Sequence, residues 1–491
     1  MEYVMGIDLG TSSVKAVLMN REGKTTVAAG REYEIMISHA GYAVQDPEDW
    51  WRKTKEAAVQ VLAHERALPD SVKGIGFSGQ MHGLVALDRE GKPLMPAVIW
   101  MDQRAGAQQK RIMELVREKG LEKELMNKPL TGMMICSLLW VKDNEPDIYR
   151  KIAHVLLPKD YIRYRFGGGY DTDETDAGGS LAFSVRDRKW CVKLLEALEI
   201  SPELFPEVLR PYEPAGMVSE EAARETGLKE GTMLAAGGAD SAMQLTGNGI
   251  VSEECLCCNI GTASQILAVS SKPLYDKELR TQTLCHSIPG FWYVQCGSLN
   301  GGSALGWLRK KILKTEKSYE QLDREAGETA CGCKGLVFLP HLAGERAPFE
   351  NPYARGVFSG LSMETEQAHL VRAVMEGVAM NLRLCYDLFY DMGLGSKKYL
   401  VMSGGGAKGE TWRRIFADVF RLPVYRTKGT EEACAGAALM AAAALGWYSS
   451  VKEGVEHRAG LEAEPLFPVD GHVSLYEEMR GRFAGLYDQY K

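Results

Sequence analysis

Two short segments read as one device used twice. Ile7-Asp8-Leu9-Gly10-Thr11-Ser12-Ser13-Val14-Lys15 lies near the N-terminus, and Asn259-Ile260-Gly261-Thr262-Ala263-Ser264 recurs about half a chain later. In each, a short apolar run breaks into Gly-Thr-small-Ser. Such a break turns a strand sharply and offers backbone N–H groups and hydroxyls to an anion. One copy alone is weak, since Asp8 and Gly10 would equally suit an ordinary hairpin turn. The recurrence predicts two similar domains, each gripping phosphate, with a nucleotide clamped between them.

Length agrees with a division into two. At 491 residues the chain exceeds the roughly 250–300 residues at which one core usually splits. The boundary is expected between the glycines of Thr246-Gly247-Asn248-Gly249 and the second turn, giving domains 1–249 and 250–491. A net charge of −7 argues against nucleic acid and anionic membrane as partners, since both favour a basic face. Glu2 and Asp8 interrupt any signal-peptide pattern, and the run from Ala433 to Trp447 falls short of the ~18 apolar residues a membrane helix needs. A cytoplasmic protein is expected. None of the eleven cysteines has zinc-like spacing, so they read as reduced, small apolar side chains.

The first stretch predicts strands at 3–9, 13–19 and 26–34. Asp46-Pro47-Glu48-Asp49-Trp50 then opens a helix to about His64, with Asp at the N-cap and proline at the first helical position. A strand from Val72 to Phe77 follows. Three meandering strands, a helix and a further strand is the order of one actin-like α/β domain. The second half repeats it, with strands at 254–260, 264–269 and 292–297 and a helix from Ser303 to Leu313. Later, Lys398–Met402 is a strand opening into Gly404-Gly405-Gly406, before an amphipathic helix Thr411–Phe420 carrying Trp412, Ile415, Phe416 and Val419 on one face. The last ~40 residues carry charge at helical period and are expected to pack back on the body.

Five constellations carry chemistry. Asp8 beside Gly10, Thr11, Ser12, Ser13 and Lys15 supplies a carboxylate for Mg2+ next to an amide-lined turn, suited to phosphoryl transfer. Leu234 to Ala242 narrows to small residues and delivers one carboxylate, Asp240, placed to accept a hydroxyl proton; helix N-capping would also justify an aspartate there. In Ser78-Gly79-Gln80-Met81-His82-Gly83, Gln80 and His82 offer hydrogen bonds to hydroxyls and Met81 an apolar face. A histidine at a strand end is also commonly satisfied by a backbone carbonyl. Asp102 and Arg104, in Trp100-Met101-Asp102-Gln103-Arg104, either pair or bind sugar. Gly404-Gly405-Gly406 lets a flat base lie on backbone, or is an ordinary strand-to-helix loop. The small residues Ala433 to Ala438 read as packing beside the nucleotide.

These residues resemble the FGGY carbohydrate kinases over nearly the whole chain. Gly356-Val357-Phe358-Ser359-Gly360-Leu361, with His369-Leu370 and Ala373-Val374-Met375-Glu376, fits the family's C-terminal signature. Gly79 to Gly83, Leu157-Pro158-Lys159-Asp160-Tyr161 and Gly344-Glu345-Arg346 are most similar to the xylulokinases within it. The resemblance implies two ribonuclease-H-like (actin-like ATPase) α/β domains with a catalytic cleft between them, ATP and Mg2+ as cofactors, and γ-phosphate transfer to the terminal hydroxyl of a ketopentose, D-xylulose to D-xylulose 5-phosphate. It implies Asp240 as catalytic base and Asp8 as the metal-side aspartate. Met81 and His82 correspond to the sugar-contacting pair, Gly261 and Thr262 to the second phosphate turn, and Gly404 to Gly406 to the adenosine loop. Expected partners are a small sugar and ATP, without nucleic acid or membrane, and with room for a homodimer. Met134 and Ser137 depart from the family's N-terminal signature ahead of Leu138-Leu139-Trp140, which bears on the exact sugar. The alternatives are a kinase for ribulose, L-xylulose, gluconate or another polyol, and a non-metabolic actin-like ATPase.

Overall fold

The computed structural model describes residues 1–491 except 66, 430, 459, 460, 463 and 491. Its chain forms two compact units. The first comprises Met1–Val251, Thr283–Trp292 and Gly429–Ala459; the second comprises Ser252–Gln282, Tyr293–Lys428 and Gly460–Lys491.

In the first unit a mixed sheet runs Pro214–Met217, Met233–Ala235, Val72–Gly79, Tyr3–Leu9, Ser13–Asn20, Thr25–Glu32, with the short strand Gly238–Ala239 also pairing Val72–Gly79. The Tyr3–Leu9 strand pairs antiparallel with Ser13–Asn20 and parallel with Val72–Gly79. It is apolar almost throughout, as suits a central strand covered on both faces. The helix Pro47–Glu65 opens as its sequence predicts: the Asp46 carboxylate accepts the Glu48 N–H at 3.0 Å, and Glu48 and Asp49 stand in the first turn. Trp50 and Trp51 on it are buried in the core with Phe77 and Phe166.

A distant segment completes this unit. The helix Glu432–Ala444 lies so close to the sheet that a Cβ on Gly6 would stand 1.9 Å from the Cys434 carbonyl oxygen, and one on Gly76 would stand 1.8 Å from that of Ala437. The run of small residues seen in the sequence therefore serves close helix-on-sheet packing.

The second unit repeats the arrangement. Its sheet includes Trp292–Ser298, Ser264–Ser270, Cys255–Ile260, Tyr399–Ser403 and Val424–Arg426 in that order. Cys255–Ile260 pairs antiparallel with the following strand and parallel with Tyr399–Ser403, as Tyr3–Leu9 does with its two neighbours. The long helix Gln367–Asp391 and the helix Glu410–Phe420 pack into one core, where Trp412, Ile415, Phe416 and Val419 are all buried. The helix expected over Ser303–Leu313 is α only over Gly302–Trp307. It widens into a π turn at Leu308–Ile312, closed by the Leu313 N–H on the Leu308 carbonyl at 2.9 Å. One extra residue in a turn leaves the apolar period nearly intact, so the sequence does not reveal it.

Of the C-terminal stretch, Val451–Arg458 and Asp470–Tyr490 are helical, while 459, 460, 463 and 491 lie outside the described residues. Among the described residues no disulfide is formed, and every cysteine but Cys331 is buried. Among the described residues no helix is long and apolar enough to cross a membrane.

Candidate active site

The first turn is braced through its carbonyls. Gly10 O accepts from the Tyr33 hydroxyl, Thr11 O from Gln45 Nε2 at 2.8 Å, Ser12 O from the Tyr33 N–H at 3.2 Å, and Ser13 O from the Gly10 N–H at 3.0 Å. Engaging the carbonyls in this way removes the groups that would repel an anion. Gly10 itself departs from expectation, because its N–H is used inside the turn. Thr11 Oγ1 accepts from Trp100 Nε1 at 2.9 Å, and Ser12 is exposed. Lys15 Nζ sits 2.6 Å from Glu431 Oε2, an ion pair that sequence distance conceals.

Asp8 and Asp240 are brought together by strand register. Asp8 faces Ser78 and Leu9 faces Gly79 across one parallel ladder, while Gly238 faces Ser78 and Ala239 faces Gly79 across the next. Both acids therefore lie at the carboxyl ends of parallel strands, about 10 Å apart across two ladder spacings. This is the edge of an α/β sheet where ligands bind. Asp8 Oδ1 accepts from Ser78 Oγ at 2.7 Å, yet burial raises its carboxyl above the ordinary range.

Asp240 is the first residue of the helix Asp240–Gly247, and Ala239 holds the N-cap position without a side-chain cap. The capping alternative is thereby corrected. The Asp240 carboxylate instead accepts from the Ser241 N–H at 2.6 Å and the Ser241 hydroxyl at 3.1 Å. Burial first, and then the charge of Asp8, push its pKa up to about 7, outweighing both Ser241 bonds. A carboxylate poised there suits general-base work near neutral pH.

Beside it stands the Gln80–His82 corner. Gln80 Nε2 donates to Gln45 Oε1 at 2.8 Å, linking this corner to the Gly10 turn. Gln80 Oε1 is buried without a hydrogen-bond partner among the described residues, an acceptor that a ligand hydroxyl would satisfy. Met81 is buried, with its sulfur 3.6 Å from Ser241 Oγ. His82 adopts a left-handed φ of 76°, a strained conformation that collects at functional sites. Its Nδ1 donates to the Gly179 carbonyl at 2.6 Å, the backbone satisfaction that the sequence left open.

Asp102 is fully buried and bound through both oxygens. Arg104 Nε stands 3.0 Å from each oxygen and Nη2 2.8 Å from Oδ2, while the Ala43 N–H donates to Oδ2 at 2.7 Å. The pairing alternative therefore describes this acid. Arg104 in turn stacks over Tyr42 and Trp140. Met134 and Ser137 are buried in the helix Met134–Asn144.

The second unit holds a cavity of about 1780 Å³, larger than the ~300–1,000 Å³ of an ordinary small-molecule pocket. Gly261, Thr262, Gly405 and Gly406 line it, with Lys310 and Lys311 from the π turn, Lys408, Trp307 and Tyr319. The Gly261 and Thr262 carbonyls accept the N–H groups of Gly302 and Ser303 at 2.8 and 3.1 Å, so this turn is also braced from behind. Gly404 has φ 81°, and a Cβ on it would stand 2.5 Å from Asn259 Oδ1, so the glycine loop lies flush against the strand end. Asn259 occupies the place that Asp8 holds in the first unit. Of the two turns, the first is thus the one preceded by a carboxylate.

Sequence reasoning assigned no role to Gln45, Tyr33, Ser78 or Glu431. Each acts by reaching a residue far along the chain, and no local spacing signals that.

Residues 3–247 match the N-terminal domain, and residues 256–445 the C-terminal domain, of the FGGY family of carbohydrate kinases. The chain is 34% identical to the xylulose kinase of Bacillus subtilis over 491 residues, covering 100% of this chain and 98% of that one. It is also 34% identical to the xylulose kinase of Escherichia coli, covering 99% and 98%. The solved xylulose kinase of Rhodospirillum rubrum superposes with a TM-score of 0.89 at 26% identity, over 99% of each chain. The repeated strand order, the two braced turns and these full-length matches agree on an actin-like two-domain α/β fold. The chain belongs to the FGGY family of carbohydrate kinases.

Proposed function

We propose that this enzyme transfers the γ-phosphate of ATP to the terminal hydroxyl of D-xylulose, yielding D-xylulose 5-phosphate and ADP. Asp240 carries the reading. Its carboxylate takes the hydroxyl proton as the sugar oxygen bonds to phosphorus and the bond to the ADP oxygen breaks. Gln80 Oε1, Met81 and His82 orient the sugar in the first unit, residues 1–249 in the functional division suggested by sequence. The 250–491 half takes the nucleotide, with its base over Gly404–Gly406 and its phosphates at Gly261 and Thr262. The relatives at 34% identity are xylulose kinases, which favours this ketopentose over other polyols.

Mg2+ fits the residues present. Burial first, and then the neighbouring Asp8 charge, raise the pKa of Asp240, so two acids share a buried site where a cation would relieve the cost of their ionised forms. Mg2+ is usually bound by one or two carboxylates together with substrate phosphates, a demand that Asp8 would meet. Held at Asp8, it would neutralise charge on the transferring phosphoryl group. Thr11, Ser12, Ser13 and Lys15 are the phosphate-contacting candidates of the first turn, and a cytoplasmic setting with free ATP suits the reaction.

A coupled ADP assay across ketopentoses and aldonates tests the assignment. D-xylulose should give the highest kcat/KM, with ATP turnover low in its absence. A higher value for ribulose, L-xylulose or gluconate would reassign the substrate, and turnover indifferent to all sugars would point to a non-metabolic ATPase.

The acid limb of the pH profile is a second expectation. A pKa near 7 leaves Asp240 mostly protonated, and so unable to accept a proton, at lower pH. One unit below that value, kcat/KM for the sugar should be roughly tenfold under its plateau. A profile flat down to pH 5 contradicts the role of Asp240.

A further inference from the structure

We propose that Thr175 is a positioning residue that fixes Asp240 through the Ala239 amide, and that the buried pair Lys159–Asp173 sets the direction of its hydroxyl. This rests on the reading of Asp240 as the base. The segment Ala236–Ala239, which delivers Asp240, is clamped at both ends. Arg163 Nη1 donates to the Ala236 carbonyl at 2.6 Å, and the Ala239 N–H donates to Thr175 Oγ1 at 2.9 Å. Between them Gly237 has φ 76°, and a Cβ there would stand 2.1 Å from the Phe77 carbonyl oxygen, so the segment is pressed onto the neighbouring strand.

The direction of the Thr175 hydroxyl is determined. Its proton goes to Asp173 Oδ1, which also accepts the Thr175 N–H at 2.8 Å. An ionised carboxylate only accepts, so the hydroxyl must donate towards it and turn a lone pair to the Ala239 N–H. Lys159 Nζ lies 2.7 Å from Asp173 Oδ2, so the acceptor of the Thr175 hydroxyl is itself held in place by a buried ion pair. Lys159, Asp160, Arg163, Asp173 and Thr175 are all completely buried. Well-packed apolar side chains would commonly stabilise such a site as well or better, so stability is a poor reason for this cluster. Its geometry supplies a better one. The cluster meets the delivering segment at Ala236 and Ala239, both within four residues of Asp240, and a displacement near 1 Å at a reacting group can cost 10²-fold in rate.

Thr175→Val keeps the shape and removes the acceptor. It should lower kcat tenfold or more while leaving KM for ATP unchanged. Thr175→Ser, which restores the hydroxyl, should recover kcat to within about twofold of wild type. Because the effect runs through Asp240, adding Thr175→Val to Asp240→Asn should cause no further loss. If the valine variant gives no cooperative melt, Thr175→Cys carries the same expectation, a thiol being a weak acceptor. Wild-type kcat in Thr175→Val, equal losses in the valine and serine variants, or full additivity with Asp240→Asn each overturn the positioning role. Normal turnover by Asp240→Asn itself strikes the base assignment instead, which separates the two failures.

Discussion

Asp240→Asn should lower kcat by at least a hundredfold while the fold and ATP binding are retained. Asparagine keeps the size and both hydrogen-bonding atoms but cannot take up the hydroxyl proton, and loss of a general base typically costs about 10²–10⁴-fold. Steady-state turnover with D-xylulose, alongside ATP titration of the free enzyme, checks both halves; near-normal kcat would remove Asp240 from the mechanism. A second readout does not depend on catalysis. The folded-state pKa of about 7 lies above the ordinary carboxylate value near 4, so the folded state holds the proton more tightly than the unfolded chain. Stability conferred by this proton is present below the unfolded pKa and is lost as pH rises through about 7. The asparagine variant escapes that loss. Its Tm should exceed that of wild type most clearly at pH 8, with the gap shrinking towards pH 5. An equal gap at both pH values would show that the raised pKa is not the cause. Activity gained at the expense of stability is the expected pattern for a buried functional acid.

Gly76→Ala should damage folding rather than chemistry. The added methyl would sit 1.8 Å from the Ala437 carbonyl oxygen and 2.6 Å from its carbon, and both are backbone atoms of the helix Glu432–Ala444 with no rotamer to yield. Overpacking of this kind costs about 3 kcal/mol or more when neither backbone can move freely. The displaced helix also follows Glu431, the partner of Lys15, so residual activity should fall with stability. Calorimetric Tm and urea midpoints measure the loss. Gly106→Ala is the matched control, because a Cβ at that helical position meets nothing within 4 Å. It should be neutral or stabilising by up to about 1 kcal/mol. If both variants melt alike, the close approach of helix and sheet is not what holds this unit together.

Much of the site was legible because its signals are local. The turns at Gly10 and Gly261 are announced by apolar runs breaking into Gly-Thr, and the strands leading into them follow from the same residues. The helix after Asp46 begins as its capping residues require. Asp240 stood out as one acid in a run of small residues, although its helix position differs from the capping alternative. What remained hidden depends on distant partners. Asp102 read equally as sugar ligand or ion pair, and only the approach of Ala43 and Arg104 to both its oxygens separates these. Lys159, Asp173 and Thr175 lie among acids that a sequence pattern assigns to solvent, yet they are fully buried because each charge meets its opposite.

The amino-acid order by itself determined the repeated strand–turn architecture, the two Gly-Thr turns and the identity of the lone acid where a helix begins. Each of these is written in neighbouring residues, through backbone preference and apolar period. Tertiary structure alone decided that Asp8 and Asp240 flank one strand, that a helix more than 180 residues beyond Asp240 packs beneath that sheet, and that a threonine hydroxyl accepts the amide next to Asp240. The reason is physical. Electrostatic coupling and backbone clamping are set by distance in space, and strand register with helix packing fixes those distances only when the chain has folded.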